Sequence, residues 1–480
     1  MKKILGLLLS ALLLPAMGAT SRAGLLDDLI HHIVGDNNTT PQQAPSHSSG
    51  APIPADPGAA TEADFSKIMK SWCVRTMLDP YNKTARPDPK VASFIQESID
   101  QLSLVPGTLS VNELASKAAN LELAGANDPL FDLLAGIVQS DPGDQKMLFD
   151  RAIAGFPGSA YSKFLQFTAA ANLGKSLHAL HTDASAQEAA DQDSLRLLSS
   201  ALQDAPFTPD EMPVLRGRLI SGSATDLFSR HAKEVCDILD SSPHVEPWVA
   251  NYFQGLRFIK EAWDARGSGW ANTVTAQGWK TFADDIAFAR ARLVKSWELN
   301  PKDPGAATAM ITVTMAESEE KETMRKWFDR AVVAQMDYNP AYKKLLYGLY
   351  PRWLGSHEEM LRFGLECMQN GRYDTSVPYQ YVVAVLEISK DSDDKETIFR
   401  QPEVYKNLQA VLSSYLGAPK SPASPRFYHT LAAIFAYKND QLDVARQHME
   451  AIQFKPDTSK GLATLQDIPS MLQKLSTPAQ

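Results

Sequence analysis

From Thr61 to about Leu475, large apolar side chains recur every three or four positions and strict alternation is missing, which predicts helices joined by turns. The expected fold class is all-α. The breaks carry turn chemistry: Asp-Pro occurs at Asp79, Asp88, Asp128, Asp141 and Asp303, where a carboxylate caps free N–H groups while proline fills the first helical position. Gly125 and Gly174 follow apolar runs and suit left-handed C-terminal caps. Upstream the pattern changes twice. Residues 24–35 place Leu25, Leu26, Leu29, Ile30, Ile33 and Val34 on one face of a short amphipathic helix, whereas 36–61 hold almost no large apolar side chain and read as a disordered linker.

The helical body contains an echo. Phe149-Asp150-Arg151-Ala152 leads to Pro157 and Ala160-Tyr161, and Phe328-Asp329-Arg330-Ala331 leads to Pro340 and Ala341-Tyr342. Helical hairpins that recur need stacked neighbours to bury their second faces, which points to a solenoid. The run Phe282, Ile286, Ala289, Leu293, Trp297 resembles the second helix of a tetratricopeptide repeat, with Ala289, Leu293 and Pro301 at the motif's small, large and closing positions and Ser296 where alanine is usual. Leu431 to Ala433, then Leu442, Ala445, Met449, Ile452 and Pro456 repeat the arrangement one residue out of register. The body divides near Ser241-Ser242-Pro243 into an N-terminal helical unit, 62–242, and a C-terminal tetratricopeptide-like unit, 245–475.

Between about 255 and 380 lie Asp264 to Trp270, Thr273-Val274-Thr275, Gly278-Trp279, Trp327 to Ala331, Pro351-Arg352-Trp353-Leu354-Gly355-Ser356 and Tyr373-Asp374-Thr375. These motifs resemble a bacterial family of unknown function with a tetratricopeptide-like α-helical repeat domain, although Leu354 stands where that family has glycine. The resemblance implies a fold and carries no activity.

Met1-Lys2-Lys3, the apolar stretch Ile4–Met17 and the small residues around Gly18 and Ala23 form a secretory signal, residues 1–23, with cleavage after Gly18 or Ala23. Its loss removes three bases and takes the net charge from −9 to −12. No apolar run beyond the leader spans a bilayer, and an acidic chain without clustered Lys and Arg gives no footprint for nucleic acid. The expected location is the bacterial periplasm or exterior. Cys73, Cys236 and Cys367 permit at most one internal disulfide and read best as buried thiols.

The search for chemistry returns little. His178 and His181 share a helical face near Asp183 without a third ligand; His357-Glu358-Glu359-Met360 begins a zinc motif that Leu361 ends; Ser392 and Lys395 have nucleophile-and-base spacing in a polar run. No metal or cofactor is expected. Seven of eight tryptophans fall between Trp248 and Trp353, and Trp270 and Trp353 stand at turns beside Arg266 and Arg352, so these four residues are the candidate partner-binding set. The reading is an exported, non-catalytic protein-interaction or scaffolding module of the cell envelope that binds a protein or peptide. The alternative is a lytic transglycosylase-like enzyme acting on peptidoglycan with Glu97 or Glu317, each followed by serine, as its general acid and base.

Overall fold

The computed structural model describes residues 52–105, 108–269, 271–317, 321–353, 355–457 and 468–476. Among them every regular element is helical and there is no strand. The signal, the 24–35 helix and the linker up to residue 51 lie outside the described residues. Two compact units emerge, one of residues 62–309 and one of residues 52–61 with 310–476. The boundary expected near Ser241 falls inside the first unit, at a turn between two helices that pack together.

The first unit begins with α1 (Glu62–Cys73), which runs through a wider-wound turn, Val74–Leu78, into Asp79–Asn82. It continues with α2 (Pro89–Leu102), α3 (Val111–Leu123), α4 (Pro129–Val138), α5 (Pro142–Gly155), α6 (Lys163–Ala179), α7 (Ala184–Gln203), α8 (Met212–Leu219), α9 (Ser223–Arg230), α10 (Ala232–Ser241), α11 (Pro247–Arg266) and α12 (Ala276–Leu299). Along the run from α2 to α7 each helix packs chiefly on its neighbours within that run, the nearest-neighbour arrangement of a helical stack. The unit also curls back on itself, because α1 packs on α8. Trp72 stacks on Phe207 at 5.2 Å, and Arg75 pairs with Glu211.

Four of the five Asp-Pro pairs cap as expected: Asp88, Asp128, Asp141 and Asp303 each accept a backbone N–H two residues on, at 2.7 to 2.8 Å. Asp79 does not. It lies inside the α1 rod, where its N–H donates to the Val74 carbonyl five residues back, and the wide turn accommodates a proline that has no N–H to give. Gly125 ends α3 at φ +92°, but Gly174 is an interior residue of α6. A Cβ there would sit 3.2 Å from Asp191 on α7, so the glycine serves close packing, and α6 ends instead at His181, held at φ +54°.

In the resemblance to the tetratricopeptide repeat, α11 and α12 form a long hairpin. Ala289 and Leu293 are fully buried, a Cβ on Gly255 would overlap the Leu293 side chain, and the Ser296 hydroxyl donates to the Trp248 carbonyl at 2.8 Å. Serine replaces alanine there because its hydroxyl finds a partner across the hairpin.

α13 (Pro304–Ala316) spans the boundary, and the second unit follows with α14 (Lys321–Ala334), α15 (Asn339–Gly348), α16 (His357–Gln369), α17 (Gln380–Asp391), α18 (Pro402–Gly417), α19 (Pro425–Lys438), α20 (Leu442–Ala451) and α21 (Ile468–Ser476). The echo is structural: Phe149 and Ala152 on α5, and Phe328 and Ala331 on α14, all point into cores. Phe328 meets Tyr342 and Phe363 edge-on at 5.1 and 5.3 Å. All three cysteines are buried free thiols; burial raises the Cys236 pKa to about 12 and raises that of Cys367 as well, so neither is a nucleophile. Among the described residues no helix is long and apolar enough to cross a membrane.

Between α19 and α20 the Nδ1 atoms of His429 and His448 are 3.0 Å apart, so one ring must donate and the other accept. Burial holds both pKa values below the ordinary 6.5, and His448 is lowered further by the neighbouring ring. Because the folded state binds protons more weakly than the unfolded chain, the stability this pair supplies is present above about pH 6.5 and is lost as the pH falls toward the depressed values. Denaturant unfolding at pH 5 and pH 7.5 should show that loss in the wild type and a smaller one in His448→Gln.

Candidate functional site

Arg352 and Trp353 lie in the turn between α15 and α16, in the second unit. Arg352 is not free: Nη1 donates to Asp391 at the end of α17 at 2.7 Å, and its plane lies over Tyr350, 4.3 Å from the ring centre. His357 reaches the other oxygen of Asp391 at 2.8 Å, and the Tyr350 hydroxyl donates to Glu387 at 2.6 Å. Burial and the Glu387 carboxylate keep that phenol protonated. Trp353 packs on Tyr347 at 5.9 Å. The indole N–H of Trp353 and Nε of Arg352 have no hydrogen-bond partner. This corner is a charge-assisted clamp between α16 and α17 with two spare donors.

The turn closes on Gly355. Its N–H donates to the Tyr350 carbonyl at 3.3 Å, and a Cβ would overlap the carbonyl group of Leu349. Close backbone approach in this turn is therefore met at Gly355. Gly355→Ala should cost the second unit about 1–3 kcal/mol, read as a lower denaturation midpoint with an unchanged m-value.

Arg266 belongs to the first unit, at the end of α11. Its guanidinium is 5.5 Å from the Trp263 ring centre and 5.6 Å from that of Trp279, and it donates to the carbonyls of Gly267 and Gly269 at 3.1 and 3.2 Å. Burial lowers its pKa. It fastens the α11–α12 loop, and Trp279 leaves 39% of its surface exposed. Trp270 lies outside the described residues.

The other candidates are occupied locally. Glu97 is salt-bridged to Lys117 at 2.6 Å, and Glu317 is exposed just after α13. His178 faces Gln187 and His181 faces the Ala179 carbonyl. Ser392 donates to the Ile388 carbonyl at 2.7 Å, a helix-end bond. Among the described residues no cluster of three or more metal-ligating side chains forms.

One site was missed by sequence reasoning. Residues 52–60, expected as the end of a disordered linker, are held as a non-helical strap on the second unit. Ile53 is 6% exposed. Asn370 Nδ2 donates to the carbonyls of Ile53 and Pro54 at 3.3 and 2.9 Å, Arg372 Nη1 donates to that of Asp56 at 2.8 Å, and the Met336 N–H donates to that of Ala60 at 2.8 Å. Arg372 is aimed by Asp374, which takes Nε and Nη2 at 2.8 Å each; the pairing raises the arginine pKa and lowers that of the carboxylate. Gly371, at φ +73°, lets the chain turn between Asn370 and Arg372. The available signals were the Asp56-Pro57-Gly58 turn, where the Gly58 N–H donates to the Asp56 side chain at 2.6 Å, and the Tyr373-Asp374-Thr375 motif.

No family model matches the chain, and no curated protein matches it. Among solved structures, a human IFIT1 dimer with PPP-AAAA and one with m7Gppp-AAAA are each similar at 10% identity and a TM-score of 0.32, over 82% of this chain and 78% of that one.

Proposed function

We propose that the chain is a non-catalytic interaction module exported to a bacterial cell envelope, and that its second unit captures an extended segment of a protein partner. The observation that carries this reading is the Asn370–Arg372 corner, where fixed donors hold backbone carbonyls of a non-helical segment. Every peptide exposes carbonyls, so such donors give affinity, and selectivity is left to the pocket that takes one anchor side chain. Stacked helical hairpins, which bury one another and leave their outer faces free, suit a scaffold. Export rests on the leader pattern of residues 1–23, and the bacterial source on the motif resemblance. In the same proposal Arg352 and Trp353 are accessory contacts on the second unit, and Arg266 and Trp270 on the first.

The test is affinity capture from the envelope fraction of the producing cell. A partner recovered by the wild type and lost on Arg372→Ala, with weaker retention by Arg352→Ala or Trp353→Ala, supports the reading. Recovery indifferent to Arg372, or turnover of peptidoglycan by the purified chain, overturns it.

A further inference from the structure

We infer that residues 53–60 are a built-in competitor: they occupy a peptide site on the second unit, and an extended peptide with an aliphatic anchor flanked by prolines binds there once they leave. This deepens the reading above and rests on it.

The strap makes the contacts of a ligand and few of those of a core element. Ile53 is its one buried side chain; Pro52 and the run from Ala55 to Gly58 are exposed. The remaining attachment is through carbonyls at four positions, Ile53, Pro54, Asp56 and Ala60. Pro52, Pro54 and Pro57 have no N–H, so the segment offers acceptors and little else, which matches a corner that offers donors. The prolines also restrict the free segment, reducing the ordering entropy lost on docking.

The receptor does not need the strap for its own shape. Asp374 holds the Arg372 fork from inside the same turn, Gly371 sets that turn, and Asn370 caps α16 with its N–H on the Cys367 carbonyl. A site organised in advance is what a second ligand requires. The fit is also incomplete, because Asn370 Oδ1 is buried without a hydrogen-bond partner. The strap answers the amide's donor and leaves its acceptor unanswered, so it is displaceable. Its advantage is its tether: a segment covalently joined to the chain competes at an effective concentration on the order of millimolar, which masks the site from dilute peptides.

The probe is a fluorescein-labelled peptide of this chain's own residues 50–61, titrated by anisotropy against the full chain. Binding to Ile53→Asp should be at least tenfold tighter than to the wild type, with Ile53→Ala between them, and Arg372→Ala in the Ile53→Asp background should abolish the gain. Ile53 stands outside every helix, so circular dichroism of these variants should match the wild type, and melting should fall only by the modest amount that strap docking contributes. Equal binding by wild type and Ile53→Asp, or binding indifferent to Arg372, overturns the inference. So does a wild type that is dimeric in solution and becomes monomeric on Ile53→Asp, since the strap would then sit on a second copy. Because the probe is the chain's own sequence, failure to recover an envelope partner leaves this result standing, and failure here leaves partner capture standing.

Discussion

Replacing Asp303 with alanine is expected to destabilise the first unit by about 3–5 kcal/mol and to lower its melting temperature by about 6–20 °C. Asp303 and Arg216 are both almost fully buried, with side chains 3% and 5% exposed, and Arg216 Nε donates to Oδ2 at 2.8 Å. The other oxygen accepts the Gly305 N–H at the start of α13, and the guanidinium lies 5.7 Å from the Tyr252 ring centre. Alanine would strip a buried cation of the carboxylate it faces and remove a helix cap in the same step. The two losses separate in the double variant. Arg216→Met with Asp303→Ser removes the charge pair, keeps a capping hydroxyl, and should recover most of the stability, since an apolar replacement of a buried pair is often close to neutral. Differential scanning calorimetry reads both; an Asp303→Ala chain that melts within 2 °C of the wild type would show that water reaches the pair.

Asp303 also marks how far the sequence can be read. Its place before proline announced a cap, which is a local relation, and the same logic placed Asp88, Asp128 and Asp141. The buried faces of α5, α12 and α14 were legible for the same reason, because a period of 3.6 reports what lies one turn away. What was not legible is pairing across distance. Nothing near Asp303 names Arg216, 87 positions earlier, and nothing near Arg352 names Asp391, 39 positions later. Gly174 shows the same limit. Glycine after an apolar run fits a cap or a close contact equally well, and only the arrival of Asp191 from α7 decides for contact. The strap was missed because composition measures whether a segment buries enough of itself to fold, whereas residues 52–60 borrow their order from donors on another part of the chain. The role of the candidate arginines was not legible either: Arg352 is committed to Asp391 and Arg266 to its own loop carbonyls.

The single tryptophan outside the 248–353 cluster carries the second large effect. Trp72→Ala should cost the first unit about 3–5 kcal/mol, the range for emptying a fully buried large ring. Trp72 on α1 stacks on Phe207, meets Phe164 edge-on at 6.0 Å, and donates its indole N–H to the Pro206 carbonyl at 3.3 Å. Phe164 and Phe207 meet each other at 4.9 Å, so the three rings form one cluster that joins α1, α6 and the segment before α8. Trp72→Phe keeps most of the ring area and loses the N–H, leaving Arg75 Nη2 as the donor to Pro206, and should cost about 0.5–1.5 kcal/mol. The pattern of hydrogen exchange distinguishes two ways of building the unit. If α1 were merely the end of a linear stack, its loss would expose α1 and its neighbour α2 and leave everything later protected. Because the cluster ties α1 to residues more than 130 positions on, Trp72→Ala should raise exchange in α8 as well, while the α11–α12 hairpin stays protected. Exchange confined to α1 and α2 would mean that the unit is an open stack and that the contact with α8 contributes nothing to its stability.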